Sequence, residues 1–131
     1  MIRPATKEEA ERFISLSAKE QGVSLRYDPQ GAYYVYEKDK EVVGVVCLKQ
    51  LSFYLGGLKH LYVLPSQRRK GIGMALVKRA IEDTRLPVIC ATVLKENQAS
   101  LSLLGKAGFK ECGAFKSPIT GRELIWMVYQ K

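Results

Sequence analysis

Residues 60–77 read HLYVLPSQRRKGIGMALV. An apolar run ends at Pro65, three cations follow at Arg68, Arg69 and Lys70, and glycines at 71 and 73 open an apolar helical pattern. This is strand, basic loop, helix start. The first turn of a helix leaves backbone N–H groups unpaired, and its dipole adds partial positive charge. Gly71 and Gly73 remove side chains that would keep an anion from those groups, and the cations add full charges beside them. A pyrophosphate suits such a cradle. The plain alternative is a basic surface turn whose glycines supply positive φ. The stretch is not a Walker loop, because no Lys-Ser/Thr follows the second glycine. Nor is it the dinucleotide fingerprint GxGxxG, whose third glycine is replaced by Leu76.

Working outward, 131 residues fit one domain, 1–131, with a core that needs no disulfide or metal. The net charge is +8, from 21 Lys and Arg against 13 Asp and Glu, and residues 65–85 carry six basic and two acidic side chains. Such an excess points to an anionic partner: nucleic acid, an acidic peptide or a phosphorylated ligand. No apolar run approaches the ~20 residues of a membrane span, so no membrane is expected among the partners. MIRPATKEEAERF has no signal-peptide core, and the expected place is the cytoplasm. Cys47 and Cys90 lie in apolar runs and read as core residues, Cys112 has polar neighbours, and no Cys/His spacing suits a metal.

The element pattern predicts a mixed α/β fold. MIRPA is a short strand, Thr6 and Glu9 have capping-box spacing, and Ala10, Phe13, Ile14 and Ser17 share a helix face that ends near Gly22. Residues 23–31 read as a loop or short helix. AYYVYEKDKEVVGVVCLKQ is a hairpin, GLKHLYVL a strand, and residues 73, 76, 77, 80, 81 and 84 form one helix face. LPVICATV is a central strand, NQASLSLLGKAGF a short helix stopped at Gly108, and LIWMVYQ the last strand. The order is β-α-β-β-β-α-β-α-β-β.

Two motifs together resemble the GNAT superfamily of N-acetyltransferases. One is a strand ending in Val63 and then Arg68-x-x-Gly71-x-Gly73 opening a helix; the other is strand 88–93, Asn97 and a helix closing with Gly108-Phe109. The resemblance covers nearly the whole chain. It implies a GNAT-type sheet with a splayed central strand pair, acetyl-CoA as cofactor, and acetyl transfer to an amine. It further implies that pyrophosphate sits on the amides of Arg69, Lys70, Gly71, Ile72, Gly73 and Met74, with Arg68 beside them. The pantetheine arm is expected along Leu61, Tyr62 and Val63, with the Tyr62 backbone N–H polarising the thioester carbonyl and Asn97 bonding the arm. Asn97 also reads simply as a helix N-cap.

The sequence departs from the family at the usual Tyr general acid, a place held here by Leu104. Ser100, one turn earlier, is the candidate to hold a proton-carrying water. His60, the only histidine, is the candidate base, with a packed histidine as the alternative. Glu96, Glu111 and Glu123 are not distinguished from one another. The expected partner is a small-molecule or peptide amine, with no specific nucleic acid, the protein being a monomer or homodimer. Residues 22–35, 51–57 and 112–123 are where acceptor choice is expected. A catalytically weak member serving as a CoA-binding or regulatory module is the alternative, and a nucleic-acid binder ranks last, since RRKGIGMALVKR has no aromatics between its cations.

Overall fold

A computed structural model describes residues 1–131. The elements run β1 (Ile2–Pro4), α1 (Lys7–Gln21), β2 (Ala32–Lys38), β3 (Glu41–Gln50), β4 (Leu55–Val63), α2 (Ile72–Asp83), β5 (Val88–Leu94), α3 (Gln98–Lys106), β6 (Lys110–Lys116) and β7 (Glu123–Gln130), with a 3-10 turn at Pro65–Gln67. This is the expected order. The seven strands lie in the order β1-β2-β3-β4-β5-β7-β6. The chain makes two compact units: Met1–Lys49 with Leu58–Thr84, and Gln50–Gly57 with Arg85–Lys131.

In the first unit, Thr6 and Glu9 close a reciprocal capping box at the start of α1, and Gly22 ends the helix at φ 68°. Ala10, Phe13, Ile14 and Ser17 are its buried face. Ala10, Phe13 and Ile14 meet Tyr33, Val35, Val45, Cys47 and Tyr62 in one cluster. Residues 23–31 form no helix. The β2–β3 hairpin turns through Asp39 and Lys40, both at positive φ, the geometry that matches strand twist in a two-residue loop. α2 packs Ile72, Leu76, Val77, Ala80 and Ile81 inward. It comes close to Gly44 of β3, where a Cβ would stand 3.1 Å from Leu76 Cδ1 and 3.3 Å from Ile72 Cγ2. Any larger residue there would make those side chains give way.

In the second unit, the first residues of β4 run parallel to β5, Leu55–Gly57 against Val88–Cys90. That ladder is three residues long. β5 pairs with β7 over its whole length, and β7 with β6. A short β4–β5 ladder at the centre of this strand order fits a splayed central pair. Ile89, Val93, Leu104, Phe109, Ile125 and Met127 are buried here, whereas every residue of the edge strand β6 is exposed. Cys47 and Cys90 are buried and Cys112 is exposed, as their neighbours in sequence indicated. No helix is long and apolar enough to cross a membrane.

Candidate functional site: the loop before helix α2

The loop from Arg68 to Gly71 is built on two left-handed residues, Arg69 at φ 64° and Gly71 at φ 81°. Left-handed turns of this kind gather successive N–H groups into an anion-binding concavity. Gly71 is the N-cap of α2 and supplies no side chain to it. The first helical bond runs from Ala75 N to Gly71 O, and the N–H groups of Arg69 to Met74 have no acceptor within the protein. A Cβ at Gly71 would meet nothing within 4 Å, so the concavity opens to solvent. Its chemistry, six unpaired donors at the positive end of a helix dipole, fits phosphate oxygens. Gly73 is different: it is buried, so its missing side chain serves packing rather than access.

The cations divide. Arg68 does not stand free beside the loop. Its Nη2 donates to both carboxylate oxygens of Glu20 at 2.9 Å, its Nε donates to Val63 O at 2.9 Å, and its guanidinium lies 5.3 Å from the Tyr62 ring centroid. Its charge is neutralised by α1. Lys70 Nζ makes only a 3.4 Å contact to Gln67 Oε1, and Arg69 has no ion pair, so these two carry the loop's unspent positive charge.

The strand edge bears on the role expected of Tyr62. Leu64 N donates to Val43 O of β3, and the Tyr62 carbonyl lies 3.3 Å from the Cβ position of Gly44, also in β3. A strand residue's N–H and C=O point to the same side, and the side alternates from residue to residue. By that alternation the Tyr62 peptide lies on the β3 side of the strand, which argues against its N–H as the oxyanion donor. Leu61 and Val63 present their N–H groups to the other edge. The Tyr62 side chain is buried and packs on Phe13 at 6.2 Å, and its hydroxyl donates to Glu20 Oε1 at 3.1 Å. Burial, reinforced by Glu20, raises the pKa of its phenol.

His60 lies earlier on the same strand, in a different setting. Its φ of 57° breaks the strand alternation, so consecutive side chains reach the same loop. Lys59 Nζ lies 3.7 Å from Asp28 Oδ2, and the His60 ring stacks on Tyr33 at 6.1 Å and bonds the Arg26 backbone. Burial lowers its pKa, and the buried Nε2 has no partner. The residue is half-buried and burial favours its neutral form, which suits a packed histidine better than a base that must meet an incoming amine.

In the second unit, Asn97 caps α3, its Oδ1 accepting from Ser100 N at 3.1 Å. Leu104, at the expected acid position, is 3% exposed and is the buried residue of α3. Of the carboxylates, Glu96 is held by Arg122, which lowers its pKa, and Glu123 pairs with Lys95 at 3.3 Å. No group of three or more metal-ligating side chains occurs.

The sequence profile of the acetyltransferase (GNAT) family matches residues 3–109. The chain belongs to the GNAT acetyltransferase family. The GNAT fold is repeated in solved structures. A ribosomal-protein-alanine N-acetyltransferase from Brucella melitensis superposes with a TM-score of 0.81 at 21% identity, covering 100% of this chain and 99% of that one. A GNAT family acetyltransferase from Elizabethkingia anophelis with acetyl-CoA bound gives 0.82 at 18% identity, covering 100% and 97%. The chloroplastic GCN5-related N-acetyltransferase 6 of Arabidopsis thaliana is 33% identical over 100 residues, 72% of this chain. The match spans 35% of that relative's length. GNAT enzymes are acyltransferases that take acetyl from acetyl-CoA, and the loop before α2 is chemically suited to that cofactor's phosphates.

Reading the GNAT motifs from the sequence missed Glu20. Its signal was present: the buried face 10, 13, 14, 17 continues at spacing 3 to residue 20, where a carboxylate stands on an otherwise inward stripe. A charge on such a stripe calls for a partner, which the sequence alone could not name.

Proposed function

We propose that residues 1–131 act as one domain that transfers the acetyl group of acetyl-CoA to a primary amine of a small-molecule or peptide acceptor, by direct attack while both are bound. The observation that carries this reading is the run of unpaired N–H groups from Arg69 to Met74, at an uncapped helix start directly after the β4 edge. Those amides bind the pyrophosphate, and Arg69 and Lys70 supply the charge. Leu61 and Val63 hold the pantetheine arm through their outward N–H groups. Val63 adjoins the phosphate loop, so the reacting end reaches further back along the strand, and Leu61 takes the polarising role first expected of Tyr62. Asn97 keeps its amide NH2 for the cofactor arm while its Oδ1 caps the helix.

Acetyl-CoA supplies an acetyl group activated as a thioester. The amine nitrogen bonds to the carbonyl carbon, the C–S bond breaks, and the sulfur leaves with the electron pair. With Leu104 in place of a phenol, the leaving sulfur takes its proton from water, one held by the Ser100 hydroxyl. A thiol pKa near ~8.5 makes that leaving group workable at neutral pH. The proton of the acceptor also goes to water, since the Nε2 of His60 is buried. The main catalytic contribution is proximity of the two reactants.

Part of the +8 charge, that of Arg69 and Lys70, serves this cofactor and not nucleic acid. Arg3, Arg79, Arg122, Lys49 and Lys95 are held in internal ion pairs, as Arg68 is. Three unpaired cysteines suit a reducing compartment such as the cytoplasm. The test is release of free thiol from acetyl-CoA over a panel of amino acids, peptides, polyamines and aminoglycosides, with acetyl-CoA binding measured separately by calorimetry. Binding plus acceptor-dependent thiol release is expected. No binding of acetyl-CoA at millimolar concentration sinks the reading.

A further inference from the structure

We infer that Glu20 is a positioning residue for the cofactor loop, and that Arg68 acts through Glu20 by shape and not by charge on the phosphates. The inference rests on the proposal that the Arg69–Met74 amides bind acetyl-CoA. It concerns a carboxylate on a different element, 48 positions from Arg68 along the chain.

The geometry is a closed node. Glu20, on the last turn of α1, accepts from the Tyr62 hydroxyl at 3.1 Å and from Arg68 Nη2 through both oxygens at 2.9 Å. Arg68 also donates to Val63 O at 2.9 Å and stacks on the Tyr62 ring. One carboxylate thus fixes the end of the β4 edge and the first residue of the loop. The rest of that loop depends on strained backbone: Arg69 holds φ 64° without being glycine, a conformation that persists only when its surroundings enforce it. The surroundings on offer are few. Toward the loop's start stand the Glu20–Arg68–Val63 contacts, and toward its end the packing of Ile72 against Gly44. Arg68 is only partly buried, with a side-chain exposure of 41%, yet it makes the contacts of an anchor.

Charge and position give opposite expectations. Glu20 places a negative charge near a phosphate site. If its sole effect is to offset Arg68, removing that charge tightens acetyl-CoA binding, and Glu20→Gln and Glu20→Ala do so equally. If Glu20 positions the loop, Glu20→Ala weakens binding while Glu20→Gln, which keeps an acceptor for Tyr62 and Arg68, restores most of it.

The experiment is calorimetric acetyl-CoA binding to the full chain and to Glu20→Ala, Glu20→Gln and Arg68→Lys, with melting temperatures measured without ligand. Glu20→Ala is expected to raise Kd about five- to twentyfold, the scale of a lost charge-assisted hydrogen bond. Glu20→Gln is expected within about threefold of the unaltered protein. Arg68→Lys, which keeps the charge and loses the fork, is expected to behave like Glu20→Ala. A purely structural role lowers melting temperatures while leaving Kd unchanged well below the transition, and that outcome overturns the inference. Tighter binding in both Glu20 variants overturns it too. If the unaltered protein does not bind acetyl-CoA, the proposed function itself has failed, and the inference falls with it.

Discussion

The first unit begins its two helices in opposite ways. α1 starts closed: Thr6 Oγ1 accepts from Glu9 N, Glu9 Oε1 accepts from Thr6 N, and Arg3 covers the Glu9 carboxylate with two bonds. α2 starts open: a left-handed glycine, no side-chain cap and a run of unpaired N–H groups. The same orphan donors exist at every helix start. Where the sequence satisfies them internally, the gain is stability; where it leaves them bare, the fold gives up that gain and keeps donors free for another acceptor. α3 lies between the two, since Asn97 spends its oxygen on the helix and keeps its NH2.

The sharpest way to break this contrast is to fill the open start. Gly71→Asp places a carboxylate in space where nothing lies within 4 Å, at a φ of 81° that Asp tolerates better than most residues. The protein is expected to fold. Acetyl-CoA affinity is expected to fall by well over the ~1.4 kcal/mol that makes a factor of ten. Gly71→Asn, a neutral side chain of the same shape, separates obstruction from charge, and it should lose less. Calorimetry on the two variants measures both. Unchanged affinity in a folded Gly71→Asp protein would defeat the assignment of the loop.

The closed start should respond in the other way. Thr6→Ala removes the cap and leaves Glu9 N unpaired, which costs about 0.5–2 kcal/mol of stability. Acetyl-CoA affinity should not change. Thermal unfolding with and without acetyl-CoA checks this: the whole curve shifts down and the ligand-induced increment stays the same. A lost increment would show that the two helix starts are not independent.

Asn97 tests the intermediate case. Asn97→Asp keeps the oxygen that accepts from Ser100 N and adds negative charge at a helix N-terminus, which is neutral or favourable for α3. It removes the NH2. Stability is expected to hold or rise slightly while acetyl-CoA affinity drops by about 0.5–1.5 kcal/mol, the net worth of one hydrogen bond. If both quantities stay as they were, Asn97 is a helix cap and nothing more.

What could be read in the sequence was what depends on neighbours along the chain. Ala10, Phe13, Ile14 and Ser17 follow the helical period and are the buried face of α1; Gly22 follows them and ends it. The strand–loop–glycine order before α2 is likewise local, and so is the pairing of Thr6 with Glu9. Three features needed the third dimension. The direction of the Tyr62 peptide depends on its register against β3, which alternation within β4 leaves free by one residue. The left-handed backbone at Arg69 belongs to a residue type with no such preference, and that at His60, a type enriched there, lies inside an apolar strand run that hides it. Arg68 looked like a phosphate ligand because its partner, Glu20, arrives from a helix that the motif does not include.

The smallest expected effect is the pH dependence of the closed helix start, and its sign is fixed by Glu9. Hydrogen bonds from Arg3, assisted by the Thr6 backbone, lower the Glu9 pKa from 4.5 to about 2. A carboxylate whose folded pKa is depressed stabilises the fold above its unfolded pKa and loses that contribution as pH falls toward the folded one. Glu9 should therefore contribute fully at pH 7, begin to lose its contribution near pH 4.5, and contribute nothing below about pH 2. The pair is partly exposed, with side-chain accessibilities of 32% and 24%, and Arg3 keeps a second partner in Glu37. Solvent screening then holds the effect to roughly the 0.2–1 kcal/mol of a surface ion pair. Glu9→Gln should unfold slightly below the unaltered protein at pH 7, and the gap between the two melting curves should narrow as the pH drops from 4.5 toward about 2. High salt at pH 7 should bring them together as well, because the bonds lost are charge-assisted. Parallel melting curves across that range would mean that Glu9 acts through its capping geometry alone, with no contribution from its charge, and the α2 start would then differ from the α1 start only in the hydrogen bonds it leaves unmade.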